Sequence, residues 1–74
     1  MNYLIVEQQT NNGTTSVLTT TKSNINEAEN KYHTVLAAAA ISQVDVHSAA
    51  LLNERGQFIK YECFDHTEPE ENVE

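Results

Sequence analysis

The stretch from Asn24 to Ser42, NINEAENKYHTVLAAAAIS, decides the fold. It reads as the single helix of the chain, with a pair of strands before it and a pair after it. Asn24 is a good N-cap, and Glu27 three residues on can reach back to complete a capping box. Glu27 and Glu29 put negative charge near the positive end of the helix dipole. Glu27 and Lys31, and Glu29 and His33, are four apart and can pair along the surface. At about 100° per residue, Ile25, Ala28, Tyr32, Val35, Leu36 and Ala39 share one face, which is expected to pack on a sheet. The opposite face carries Asn30, His33, Thr34, Ala37 and Ile41. It starts polar and ends apolar.

The run from Val35 to Ile41 is apolar all round, and such a helix is ordinarily covered on more than one side. A chain of 74 residues has one layer of helix to offer, so its own sheet covers one flank. Thr34, Ala37 and Ile41 are therefore candidates for contact with a second copy or another partner. The plainer alternative is that alanine is simply the best helix former and stands exposed without consequence.

The length allows one small domain. A domain of this size buries only about 60% of its unfolded surface and needs support from disulfides, metal or oligomerisation. Cys63 is the only cysteine, so no intrachain disulfide can form. Metal ligands are sparse and no cofactor is expected, which leaves a homo-oligomer as the expected support.

The net charge of −7 is unevenly spread, because residues 65–74, DHTEPEENVE, hold five of the eleven acidic residues and no Lys or Arg. The expected organisation is a single α+β domain over 1–64 and an acidic, disordered tail over 65–74. Lys22, Lys31, Arg55 and Lys60 are too few and too scattered for the basic stripe of a DNA or RNA binder. The opening MNYLIVEQQT lacks the basic and apolar regions of a signal peptide, and no run reaches the roughly 18 apolar residues of a membrane span. A cytoplasmic protein without membrane contact is the expectation.

Residues 2–9 read as a central strand, since Tyr3 to Val6 is a continuous apolar run. A turn follows over 10–14, where Asn12-Gly13 favours positive φ and a hairpin. Residues 15–21 are β-branched and polar and suit a half-exposed edge strand. Residues 46–53 alternate, with Val46, Ser48, Ala50 and Leu52 pointing one way and His47, Ala49 and Leu51 the other. Gly56 closes the turn NERG. In 57–64, strict alternation puts Ile59, Tyr61 and Cys63 on one face and Phe58, Lys60, Glu62 and Phe64 on the other. The order is β-β-α-β-β, one mainly antiparallel four-stranded sheet with a helix across one face. The bare face is expected to carry Lys60, Glu62 and threonines, with some of Leu4, Val6, Phe58 and Phe64. Phe58 and Phe64 thereby join the contact candidates.

Three sets of residues carry candidate chemistry. Cys63-x-x-His66 has metal-ligand spacing, but a closed zinc site needs four ligands and His33 and His47 come from separate elements, so no metal is expected. Cys63 as a nucleophile lacks a histidine held in place and an oxyanion loop, so enzymatic activity is not expected. Lys31, Tyr32, His33, Arg55 and Lys60 are candidates for an anion or nucleotide site. Lys and Arg would meet phosphate and Tyr would stack on a base. The competing reading puts Tyr32 in the core, pairs Lys31 with Glu27 and leaves Arg55 on a turn.

Residues 31–66, KYHTVLAAAAISQVDVHSAALLNERGQFIKYECFDH, carry a resemblance. With the opening MNYLIVEQQ, the YH-x-VLAAAA-x-S helix end, His47 before an alanine pair, Gly56 and the closing DH at 65–66, the chain resembles a group of small proteins encoded in phages and prophages of Gram-positive, often gut, bacteria. The resemblance implies a phage accessory protein acting inside a bacterial host, and it carries over no catalytic residue. The expected function is a non-enzymatic anti-defence protein working as a homo-oligomer. It would bind a nucleotide second messenger of host immunity between protomers or dock on a host defence protein. The alternative is a structural or morphogenetic accessory of the virion or lysis cassette. A small hydrolase using Cys63 comes last.

Overall fold

A computed structural model describes residues 1–66. Strand β1 (Tyr3–Asn11) and strand β2 (Thr14–Lys22) form the first hairpin. Helix α1 (Ile25–Ile41) follows, and strands β3 (Val46–Asn53) and β4 (Phe58–Asp65) form the second hairpin. The sheet order is β2-β1-β3-β4, antiparallel throughout, so the expected α+β fold stands. The continuous apolar run of β1 does occupy a central position, and the threonine-rich β2 an edge.

Local chemistry sets the boundaries. Asn12 and Gly13 both have positive φ, 55° and 81°, the two-residue turn whose twist matches a hairpin. The Asn24 side chain accepts from the N–H groups of Asn26 at 2.7 Å and Glu27 at 3.3 Å, which starts the helix. At the other end the Ser42 N–H donates to the Ala39 carbonyl at 3.3 Å. Asn53 organises the second turn, its Oδ1 accepting from the N–H groups of Arg55 at 2.9 Å and Gln57 at 3.1 Å.

The helix lays Ala28, Tyr32, Val35 and Ala39 on the sheet, against Ile5, Ala49 and Leu51. Half of the buried apolar residues described are alanines, which bring helix and sheet close but remove little surface from water. The outward side of the helix is as read from its periodicity: Asn30, His33, Thr34, Ala37 and Ile41 are all exposed.

Strand β4 departs from strict alternation. Leu51 faces Lys60 but Leu52 faces Phe58, so Ile59 is an extra residue in a bulge. Phe58 therefore shares a face with Tyr61. Lys60, Glu62 and Phe64, opposite Leu51, Ala49 and His47, turn to the helix side. The expectation that Lys60, Glu62 and Phe64 lie on the bare face is corrected accordingly, while Phe58 does lie there. The folded part also extends past residue 64. Asp65 belongs to β4, and the His66 N–H donates to the Asp45 carbonyl at 2.8 Å. The rest of the expected acidic tail, 67–74, lies outside the described residues.

Candidate functional site

Two of the candidate anion ligands, Lys60 and His33, meet around a carboxylate. Lys60, aimed to the helix side by its register with Leu51, puts Nζ 2.8 Å from Glu29 Oε1. His33 Nε2 stands 3.4 Å from the same oxygen. The Lys60 hydrogen bond, opposed by partial burial and helped by the Lys60 and His33 charges, holds the Glu29 carboxyl below its ordinary value. Tyr32 meets the His33 ring edge-on at 5.5 Å but is itself only 3% exposed and part of the core. Its face is not free to stack on a base. Burial, then the Glu62 charge, pushes its hydroxyl pKa up. Lys31 is half-buried on the helix and Arg55 is exposed on the β3–β4 turn. Within one protomer, Glu29 already occupies the position an anionic ligand would take between Lys60 and His33.

The contact candidates fall on two surfaces. On the outer helix flank, Thr34 turns its hydroxyl to the Asn30 carbonyl at 2.9 Å, Ala37 is exposed and Ile41 is 84% exposed. On the bare sheet face, Phe58 is 67% and Tyr61 62% exposed, with rings edge-to-face at 6.4 Å. They border a shallow groove completed by Val6, Gln8, Ser48, Ala50 and Leu52. No charged side chain among the described residues lines it, so none of them offers phosphate a partner there. Phe64 is half-buried beside the helix end, its ring stacked on His66 at 6.4 Å.

Cys63 and His66 are three apart at the end of a strand, which sends them to opposite sides. Cys63 follows Tyr61 on the bare face, while His66 Nε2 donates to the Ala39 carbonyl at 3.1 Å. Among the described residues no group of three or more His, Cys, Asp or Glu side chains is placed to hold a metal. The Tyr61 hydroxyl pKa is raised, first by the electrostatic influence of neighbouring Cys63 and then by a side-chain hydrogen bond with it.

One polar network escaped the sequence reading. His47, 3% exposed, puts Nε2 2.7 Å from Glu7 Oε2 and Nδ1 3.1 Å from Ser42 Oγ. Glu7 Oε2 also accepts from Gln9 Nε2 at 3.0 Å. Serine, histidine and glutamate in a row have the composition of a hydrolytic triad. Their setting opposes that chemistry. Ser42 caps the C-terminal end of α1, where unpaired carbonyls concentrate negative potential and would repel an oxyanion. The same potential suits a histidine ring. The network ties the helix end to β1 and β3. The signal was present in the alternation of β3, which puts His47 with Ala49 and Leu51 on the buried side, where a ring nitrogen needs a partner.

These features belong to a two-layer α+β protein in which the described residues leave one sheet face and one helix flank uncovered. No family model, curated protein or solved structure matches it. No helix among the described residues is long and apolar enough to cross a membrane.

Proposed function

We propose that this is a non-enzymatic binding protein of phage origin, an anti-defence factor that works as a homo-oligomer in the bacterial host and docks on a host defence protein. The observation that carries the reading is the presence of two exposed apolar surfaces, the sheet face with Phe58 and Tyr61 and the helix flank with Ala37 and Ile41. Apolar surface of this kind on a small fold marks contact with protein rather than with a charged metabolite. Docking is favoured over nucleotide capture because Tyr32 is buried and Lys60 and His33 are engaged by Glu29. A phage origin rests on the sequence resemblance.

The test is a plaque assay in hosts that each carry one defence system. Expression of the protein restores plaques against the system it targets, and Ile41→Glu with an unchanged melting curve loses the effect. Failure to relieve any system, with the protein recovered in purified virions in fixed stoichiometry, would transfer the assignment to a structural accessory role.

A further inference from the structure

The two uncovered surfaces differ in electrical character, and the difference points to what covers one of them. The strands contain Glu7, Lys22, Lys60, Glu62 and Asp65 as their charged residues. The ladder pairs Lys22 with Tyr3, Glu7 with Ala49, Glu62 with Ala49 and Lys60 with Leu51, so the first four lie on the helix side. Only Asp65, at the corner of β4, has a register position on the bare face.

We infer that the bare sheet face is covered by a second copy of the chain, face to face about a two-fold axis. The inference rests on the homo-oligomer reading and identifies its interface. Two copies meeting across a surface that carries almost no charge set no like charges against each other, and this is such a surface. A strongly charged partner would find nothing there to pair with. The area agrees. Strands of this length and spacing present roughly 500 Å2 per copy, and two copies bury about 1,000 Å2, the lower limit of a specific interface. Sheets packed about 10 Å apart would interleave Phe58 and Tyr61 with Val6, Ala50 and Leu52. The result is a four-layer helix-sheet-sheet-helix body, which supplies the second core that the alanine-rich first one lacks. The outer helix flank with Ala37 and Ile41 is left for the host partner.

The experiment is solution mass of the full chain by sedimentation equilibrium, with Phe58→Glu, Thr19→Lys and Ile41→Glu beside the parent. Thr19 faces Val6 on the edge strand and is exposed, so it places a charge on the bare face without touching the core. The parent is expected to be a dimer. Both sheet-face variants raise the dimer dissociation constant about tenfold or more, with unchanged circular dichroism, and Ile41→Glu leaves it unchanged. Cys63 provides a second readout in the unmutated protein. Its thiol is exposed in the protomer and reacts with maleimide, and the reaction slows severalfold as concentration crosses the dimer range. A dimer that survives Thr19→Lys and dissociates with Ile41→Glu would overturn the sheet-face assignment while keeping the homo-oligomer. A parent that is monomeric at every concentration would remove the homo-oligomer reading itself.

Discussion

His47 Nε2 meets Glu7 Oε2 at 2.7 Å although the two residues are not directly opposite in the sheet. His47 pairs with Gln9, and Glu7 with Ala49, so the contact runs diagonally across the β1–β3 ladder under the helix end. Diagonal neighbours on one face of a sheet are within reach only of long side chains. Glu7 and His47 span that gap, and Ser42 extends the connection to the end of the helix.

Removing the carboxylate strands a buried N–H. Glu7→Ala is expected to cost about 1–3 kcal/mol, since the His47 ring is then left with an unsatisfied donor. Glu7→Gln keeps an acceptor oxygen and should cost less. Urea unfolding of the two variants measures the difference. Equal losses would show that the oxygen does not hold the ring.

The Glu29–Lys60 contact has a pH signature. The folded state holds the Glu29 carboxyl below its ordinary value of 4.5, so the stabilisation is present above that value and is lost as pH falls through the depressed folded one. Lys60→Met should therefore lower the melting temperature more at pH 7 than at pH 3. A variant that melts lower by the same margin at both values would mean that the contact acts through packing of the lysine stem. The pair is exposed, so the effect at pH 7 is small.

Alanine is required on one side of the helix and tolerated on the other. Ala28 is fully buried against the sheet, whereas Ala38 is exposed. Ala28→Leu must push the helix away and is expected to cost about 1–3 kcal/mol. Ala38→Leu should change stability by less than about 0.5 kcal/mol. Thermal unfolding of both variants tests the close approach, and near-equal melting temperatures would contradict it.

The helix was legible because its signals are local: a capping asparagine at Asn24, an apolar period through Tyr32 and Val35, and a polar outer face at Asn30 and His33. The first turn was equally plain, since Asn12-Gly13 states its own dihedral angles. The faces of β4 were not legible. A single inserted residue, Ile59, reverses the parity between Phe58 and Lys60, and no local pattern announces a bulge. The Glu7–His47 contact spans forty residues of sequence and depends on strand order, which side-chain periodicity does not encode. Among the site candidates, Tyr32 could be a core residue or a stacking one on periodicity alone. Only the position of the sheet decides which.

The two glycine turns lie at opposite ends of the sheet, because Tyr3 at the start of β1 pairs with Asn53 at the end of β3. Gly13 and Gly56 each have φ +81°, and a Cβ added at either meets nothing within 4 Å. The cost of Gly13→Ala and of Gly56→Ala is therefore one of backbone conformation alone, about 1–2 kcal/mol each. Asparagine tolerates the left-handed region, so Gly56→Asn should cost less than Gly56→Ala. With no shared neighbours, the two alanine substitutions should add, and the double variant should lose the sum to within about 0.5 kcal/mol. In a domain of this size that loss lowers the melting temperature by about 4–8 °C for each kcal/mol. A double variant that loses much less than the sum would show that the two hairpins unfold separately rather than as one cooperative sheet.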